Sequence, residues 1–115
     1  MACTATVREA EGITVVDFSG RVTLGEGAAI VRETVTRLMD RGDMKILLNL
    51  KEVTYIDSAG LGELVGSYAT MANRGGQIKL VHAQNKVQDA LRVTRLHGLF
   101  QTFTDEDTAL RSFTA

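Results

Sequence analysis

Tyr55-Ile56-Asp57-Ser58-Ala59-Gly60-Leu61-Gly62-Glu63-Leu64 joins two different patterns. Ahead of it, Val53-Thr54-Tyr55-Ile56 is an extended piece, and Lys45-Ile46-Leu47-Leu48-Asn49-Leu50 is nearly continuous in apolar residues. A strand covered on both faces reads this way, and such strands occupy the centre of α/β sheets. Behind it, Leu61, Leu64, Val65, Tyr68 and Ala72 recur on one side of a helix. That helix is expected over residues 58–73, ended by Gly75-Gly76.

The flanking segments fit around this strand and helix. Residues 4–9 are a short extended segment, Glu11-Gly12 a turn, and Ile13-Thr14-Val15-Val16-Asp17-Phe18 a β-branched strand. Together they predict an N-terminal hairpin. Gly20 interrupts the second strand, and Arg21-Val22-Thr23 leads into a loop. A helix follows from residue 25 or 26 to 41. Leu24, Ala28, Val31, Val35 and Leu38 form its apolar stripe, and Gly42 stands at a C-terminal cap. Further on, residues 78–82 read as a buried strand and 85–96 as a helix with Val87, Leu91 and Thr94 inward. Residues 99–103 read as a last strand and 105–113 as a last helix. Thr104 is its expected N-cap, with Asp105, Glu106 and Asp107 in its first turn. Helices and strands alternate after the hairpin, which predicts an α/β fold with parallel crossovers in a mixed sheet, one domain over residues 1–115.

Composition narrows the function classes. The 115 residues are 44% hydrophobic, enough for one packed core without staples. The net charge of −1 leaves no basic excess for a nucleic-acid binder. Cys3 is the sole cysteine, so no internal disulfide forms, which suits a reducing compartment. No apolar run approaches the roughly 18 residues of a membrane span, and the first residues lack a signal-peptide core. The expectation is a cytoplasmic protein.

Four roles compete for Ser58. Asp57 and Ser58 before an apolar periodic run are first of all helix N-cap residues. A dinucleotide loop fits poorly, because Gly60, Gly62 and Gly66 put the third glycine one residue late and no acidic residue ends the strand at His82. A nucleophile elbow needs glycine two residues either side of the serine; Gly60 meets this and Ile56 does not, although His82 and His97 offer bases. Finally, Ser58, Gly62, Gly66 and Ala69 share one strip of the helix. Nothing on that strip is larger than serine, so it suits either close internal packing or a docking surface edged by a modifiable hydroxyl.

Asp57-Ser58-Ala59-Gly60-Leu61-Gly62 and the strand before it closely resemble the anti-sigma-factor antagonists of the STAS domain family. The resemblance extends to Phe18-Ser19-Gly20, Gly75-Gly76 and Leu96-His97-Gly98-Leu99-Phe100. It implies a STAS-like mixed sheet and a non-enzymatic protein that needs no cofactor. It implies an anti-sigma factor partner that is also a serine kinase, with Ser58 as phosphoacceptor, and a metal-dependent serine phosphatase that restores the binding form. Asp57, Ala59, Gly60, Gly62, Gly66 and Thr23 become partner-binding candidates. Two departures are visible: the family often carries a second hydroxyl where Ala59 stands, and an acidic residue near Thr23. The same fold also admits a STAS subunit docked on a transporter ATPase without phosphorylation; a small serine hydrolase is the remaining alternative. A phosphate on Ser58 would sit at a helix N-terminus, which favours an anion by about 0.3–1 kcal/mol. It would also add nearly two charges beside Asp57, and burying them unpaired in an interface costs several kcal/mol.

Overall fold

The structure, a computed structural model, describes residues 3–113. Strands β1 (Cys3–Ala10) and β2 (Ile13–Val22) form the expected hairpin. Helix α1 (Glu26–Asp40), strand β3 (Lys45–Ile56), helix α2 (Ser58–Asn73), strand β4 (Gln77–Val81), helix α3 (Asn85–Val93), strand β5 (Thr102–Phe103) and helix α4 (Glu106–Ser112) follow. The sheet order is β1-β2-β3-β4-β5, antiparallel at β1/β2 and parallel elsewhere. Each parallel pair is joined by a helix, as crossover connections require.

The apolar runs of the central strands divide by alternation. Val16, Phe18, Ile46, Leu48, Ile78 and Leu80 enter one core beneath α1, α2 and α3. Ile13, Val15, Leu47 and Val81 point to the opposite face, where Ala109 and Leu110 of α4 and the following Phe113 cover them. This is the period of two of a pleated strand with both faces occupied.

Helix ends are set by local backbone bonds. After α1, Gly42 lies at φ 96° and donates to the Met39 carbonyl, while Asp43 N–H reaches Leu38. After α2, Gly75 lies at φ 83° and the same pair of bonds runs from Gly75 and Gly76 to Ala72 and Met71. These are Schellman closures, in which glycine adopts the left-handed conformation without a Cβ clash.

Several boundaries differ from the sequence reading. Gly20 does not interrupt β2: the strand continues to Val22, with register irregularities against β3 on both sides of Gly20. Residues 45–56 form one strand. Leu24 is exposed because Gly25, at φ 96°, turns the chain before α1 begins, so the helical stripe does not extend back to it. Ala72 is exposed, and Ser67 and Met71 are buried in its place. Helix α3 stops at Val93, and Thr94 donates its hydroxyl to the Ala90 carbonyl rather than entering the core. The β5 strand keeps only Thr102 and Phe103. Asp105, not Thr104, caps α4, accepting from Thr108 N–H at 3.0 Å.

Candidate functional site

The site is built where β3 hands over to α2. Asp57 leaves the strand in an extended conformation and caps the helix, its Oδ1 accepting from Gly60 N–H at 2.9 Å. Its Oδ2 accepts from Leu24 N–H at 2.9 Å, and its own N–H donates to the Val22 carbonyl at 3.3 Å. One carboxylate thus fastens the loop after β2 to the start of α2. The N–H groups of Gly60 and Leu24 hold Asp57 below the usual carboxylate pKa, since they favour its ionised form. Ser58, the first residue of α2, is exposed beside it.

The glycines of the motif separate into two kinds. Gly60 is buried against β2, and a Cβ there would fall on the Val22 carbonyl oxygen and within 2.9 Å of Val22 Cγ1. It packs within the fold and faces away from solvent. Gly62 and Gly66 are exposed, and a Cβ at either meets nothing within 4 Å. The strip of Ser58, Gly62, Gly66 and Ala69 therefore faces solvent along its whole length. Ala59 is half-buried in the first turn. Thr23 is half-buried in the β2–α1 loop, between Val22 and Leu24, both of which touch the start of α2; its carbonyl accepts from Ala28 N–H.

Residues that sequence reasoning missed complete the surface. Four large apolar side chains are exposed among the described residues: Leu24 at 81%, Met44 at 39%, Tyr55 at 40% and Val93 at 82%. Leu24 hangs from the Asp57 clamp, and Tyr55 and Val93 line an open groove shared with Ser58. Arg21 stacks over the Tyr55 ring at 5.0 Å. No local pattern marks this cluster, because its members come from three separate segments. The two histidines are elsewhere. His82 lies in a hollow with Lys51, Gln84 and Thr104, and the exposed His97 follows α3; neither lines the groove at Ser58. No helix among the described residues is long and apolar enough to cross a membrane.

Three comparisons agree with this architecture. The anti-sigma-B factor antagonist of Bacillus subtilis is 32% identical over 94 residues, 81% of each chain. A Thermotoga maritima protein assigned as a candidate anti-sigma factor antagonist superposes with a TM-score of 0.89 at 22% identity, over 96% of this chain and 95% of that one. The Bacillus cell-fate determinant SpoIIAA, solved in its phosphorylated form, gives a TM-score of 0.73 at 15% identity, over 95% of this chain and 98% of that one. The two structural likenesses are likenesses of fold. The STAS domain family model matches residues 4–109, and on that match, together with the Bacillus subtilis relative, the chain belongs to the STAS domain family.

Proposed function

We propose that this chain, acting as a single STAS domain in the cytoplasm, is a non-enzymatic anti-sigma-factor antagonist switched by phosphorylation of Ser58. In its unmodified form it binds an anti-sigma factor that is also a serine kinase, and so frees the sigma factor. The kinase transfers the γ-phosphoryl group of ATP to Ser58 Oγ. The Oγ–P bond forms, the bond from the γ-phosphorus to the bridging oxygen breaks, ADP leaves, and the serine proton passes to the kinase. A metal-dependent phosphatase reverses the change by directing water at phosphorus, which releases inorganic phosphate and the serine. The observation that carries this reading is that two exposed apolar side chains, Tyr55 and Val93, line one groove with an exposed serine, while the exposed Leu24 is tied through its backbone to the adjoining Asp57. Exposed apolar patches of this kind mark interaction surfaces, and the glycines at 62 and 66 leave room for a partner's backbone.

The switch follows from charge. A phosphate brings nearly two negative charges to a surface whose apolar contacts require dehydration. Each 1.4 kcal/mol of lost interaction is about tenfold in affinity, so one such group suffices to release a partner. The test combines the protein with its anti-sigma factor and ATP, followed by mass spectrometry. Label is expected on Ser58 and absent from Ser58→Ala. Ser58→Asp is expected to fold, because a helix start tolerates a carboxylate, and to bind at least about tenfold more weakly by calorimetry. Undiminished labelling of Ser58→Ala would remove Ser58 as the acceptor. Tight binding without any labelling would favour constitutive docking.

A further inference from the structure

The groove beside Ser58 runs between the β3–α2 junction and α3. Tyr55, Asp57 and Leu61 line one side, and Lys86, Asp89 and Val93 the other. Its charged groups are not equally available. Both oxygens of Asp57 are held by backbone N–H groups, at 2.9 Å each. Asp89 is paired with Arg92 at 2.9 Å. The Tyr55 ring lies under Arg21, whose guanidinium is engaged there. On the far side of α2, Glu63 is occupied by Arg32 at 2.9 Å. Among the described residues, Lys86 is exposed and is the sole cation lining the groove, and no carboxylate forms an ion pair with it.

We propose that Lys86 is the counter-ion of the switch: when Ser58 carries a phosphoryl group, the dianion lies in this groove and pairs with the Lys86 ammonium. The inference rests on the reading of Ser58 as phosphoacceptor. Two features direct the phosphate to this side. At the helix start, the Gly60 N–H that an anion would seek is already taken by the Asp57 carboxylate. Along the helix, Gly62 and Gly66 offer no side-chain donor. The groove supplies a positive charge in Lys86, and a lysine on the first turn of α3 has the flexible stem to reach for it. A phosphate seated there also covers the rim formed by Tyr55 and Val93 with charge. The apolar surface meant for the partner is then occupied by the protein's own modification.

The experiment installs phosphoserine at position 58 during translation, so that no kinase is needed, and follows its second ionisation by phosphorus NMR. A phosphoserine in water has this ionisation near pH 6. A paired ammonium favours the dianion, so the parent's value is expected to lie at least about half a pH unit below that of Lys86→Met at low salt. The difference should shrink as salt is added. Lys86→Arg should keep it, and Lys45→Met, altered at the opposite end of β3, should leave it unchanged. Circular dichroism checks that each variant is folded. Equal ionisation in the parent and Lys86→Met, or an equal change on Lys45→Met, would overturn the role of Lys86. The phosphoacceptor reading stands or falls separately, on kinase labelling of the unmodified chain.

Discussion

Replacing both Gly62 and Gly66 by alanine should stabilise the protein while weakening its contact with a partner. Both residues lie inside α2, exposed, with open space where a Cβ would go. Glycine in an exposed helix interior costs about 0.8–1 kcal/mol relative to alanine, because the unfolded chain loses more freedom. Nothing in the fold demands glycine at either place, so the whole of that cost is recoverable. The pair should therefore gain roughly 1.6–2 kcal/mol, taking the two sites as additive. For a chain of this length that is a rise of about 6–10 °C in Tm. Urea unfolding at unchanged slope would give the free energy directly. Calorimetric titration against the anti-sigma factor would give the other half: each added methyl lifts the partner's backbone from the strip, and Gly62→Leu should lower affinity by about tenfold or more. A double variant that melts below the parent would refute the reasoning, since it would mean that the strip packs against this chain itself. A Gly62→Leu variant that binds as tightly as the parent would remove the strip from the docking surface.

Gly60→Ala should do the opposite of its neighbours: the added Cβ meets the Val22 carbonyl, and overpacking less the helix gain should cost a net of about 2 kcal/mol in urea melts. Arg95→Gly should stabilise by about 0.5–1 kcal/mol, because Arg95 is held at φ 63° and relief of that strain exceeds the entropy cost of glycine; a melting scan decides it. Arg8 bonds Asp17 at 2.7 Å and Glu106 at 2.6 Å, and its guanidinium is the main reason both carboxyls sit below their ordinary pKa values. Such groups contribute stability that is complete above their unfolded pKa values, near 4, and lost as the pH falls through the folded ones. Arg8→Met should thus be less stable than the parent by about 1 kcal/mol near neutrality, after allowing for solvent screening of partly exposed groups. The gap should close as urea melts are taken below about pH 4; a gap that persists or widens in acid would contradict the assignment.

The fold was largely legible because its signals are local and repeated. A β-branched run over residues 13–18, a nearly continuous apolar run over residues 45–50 and crossovers long enough for helices predicted the hairpin and the parallel sheet, and the structure has both. The end of α3 was not legible for a specific reason. Its closure has the same two bonds as those after α1 and α2, from Arg95 to Arg92 and from Leu96 to Leu91, but the left-handed position holds arginine where glycine would have announced it. Leu24 was misread because a period says nothing about where the helix begins. Gly60, Gly62 and Gly66 look alike in the sequence, and the approach of Val22 and Ile56 distinguishes the first from the others. The motif pointed to Ser58 and Asp57, while Tyr55, Lys86 and Val93 gather there only through the placement of α3 against β3.

Arg8 in the first strand and Glu106 in the last helix are 98 residues apart in the chain, yet they share a bidentate bond. Among the described residues, helix α4 is the sole helical cover over Ile13, Val15, Leu47 and Val81, and Lys79 holds its far end through the Ser112 carbonyl at 3.0 Å. A chain that ended before residue 106 would expose an apolar band across three adjacent strands, and one that lacked its first strand would lose the Arg8 anchor. Either fragment would be prone to self-association and open to proteolysis. That face of the sheet is thus sealed only once residues 106–113 have been made and docked, so its closure waits on a segment far along the chain from the strands it covers.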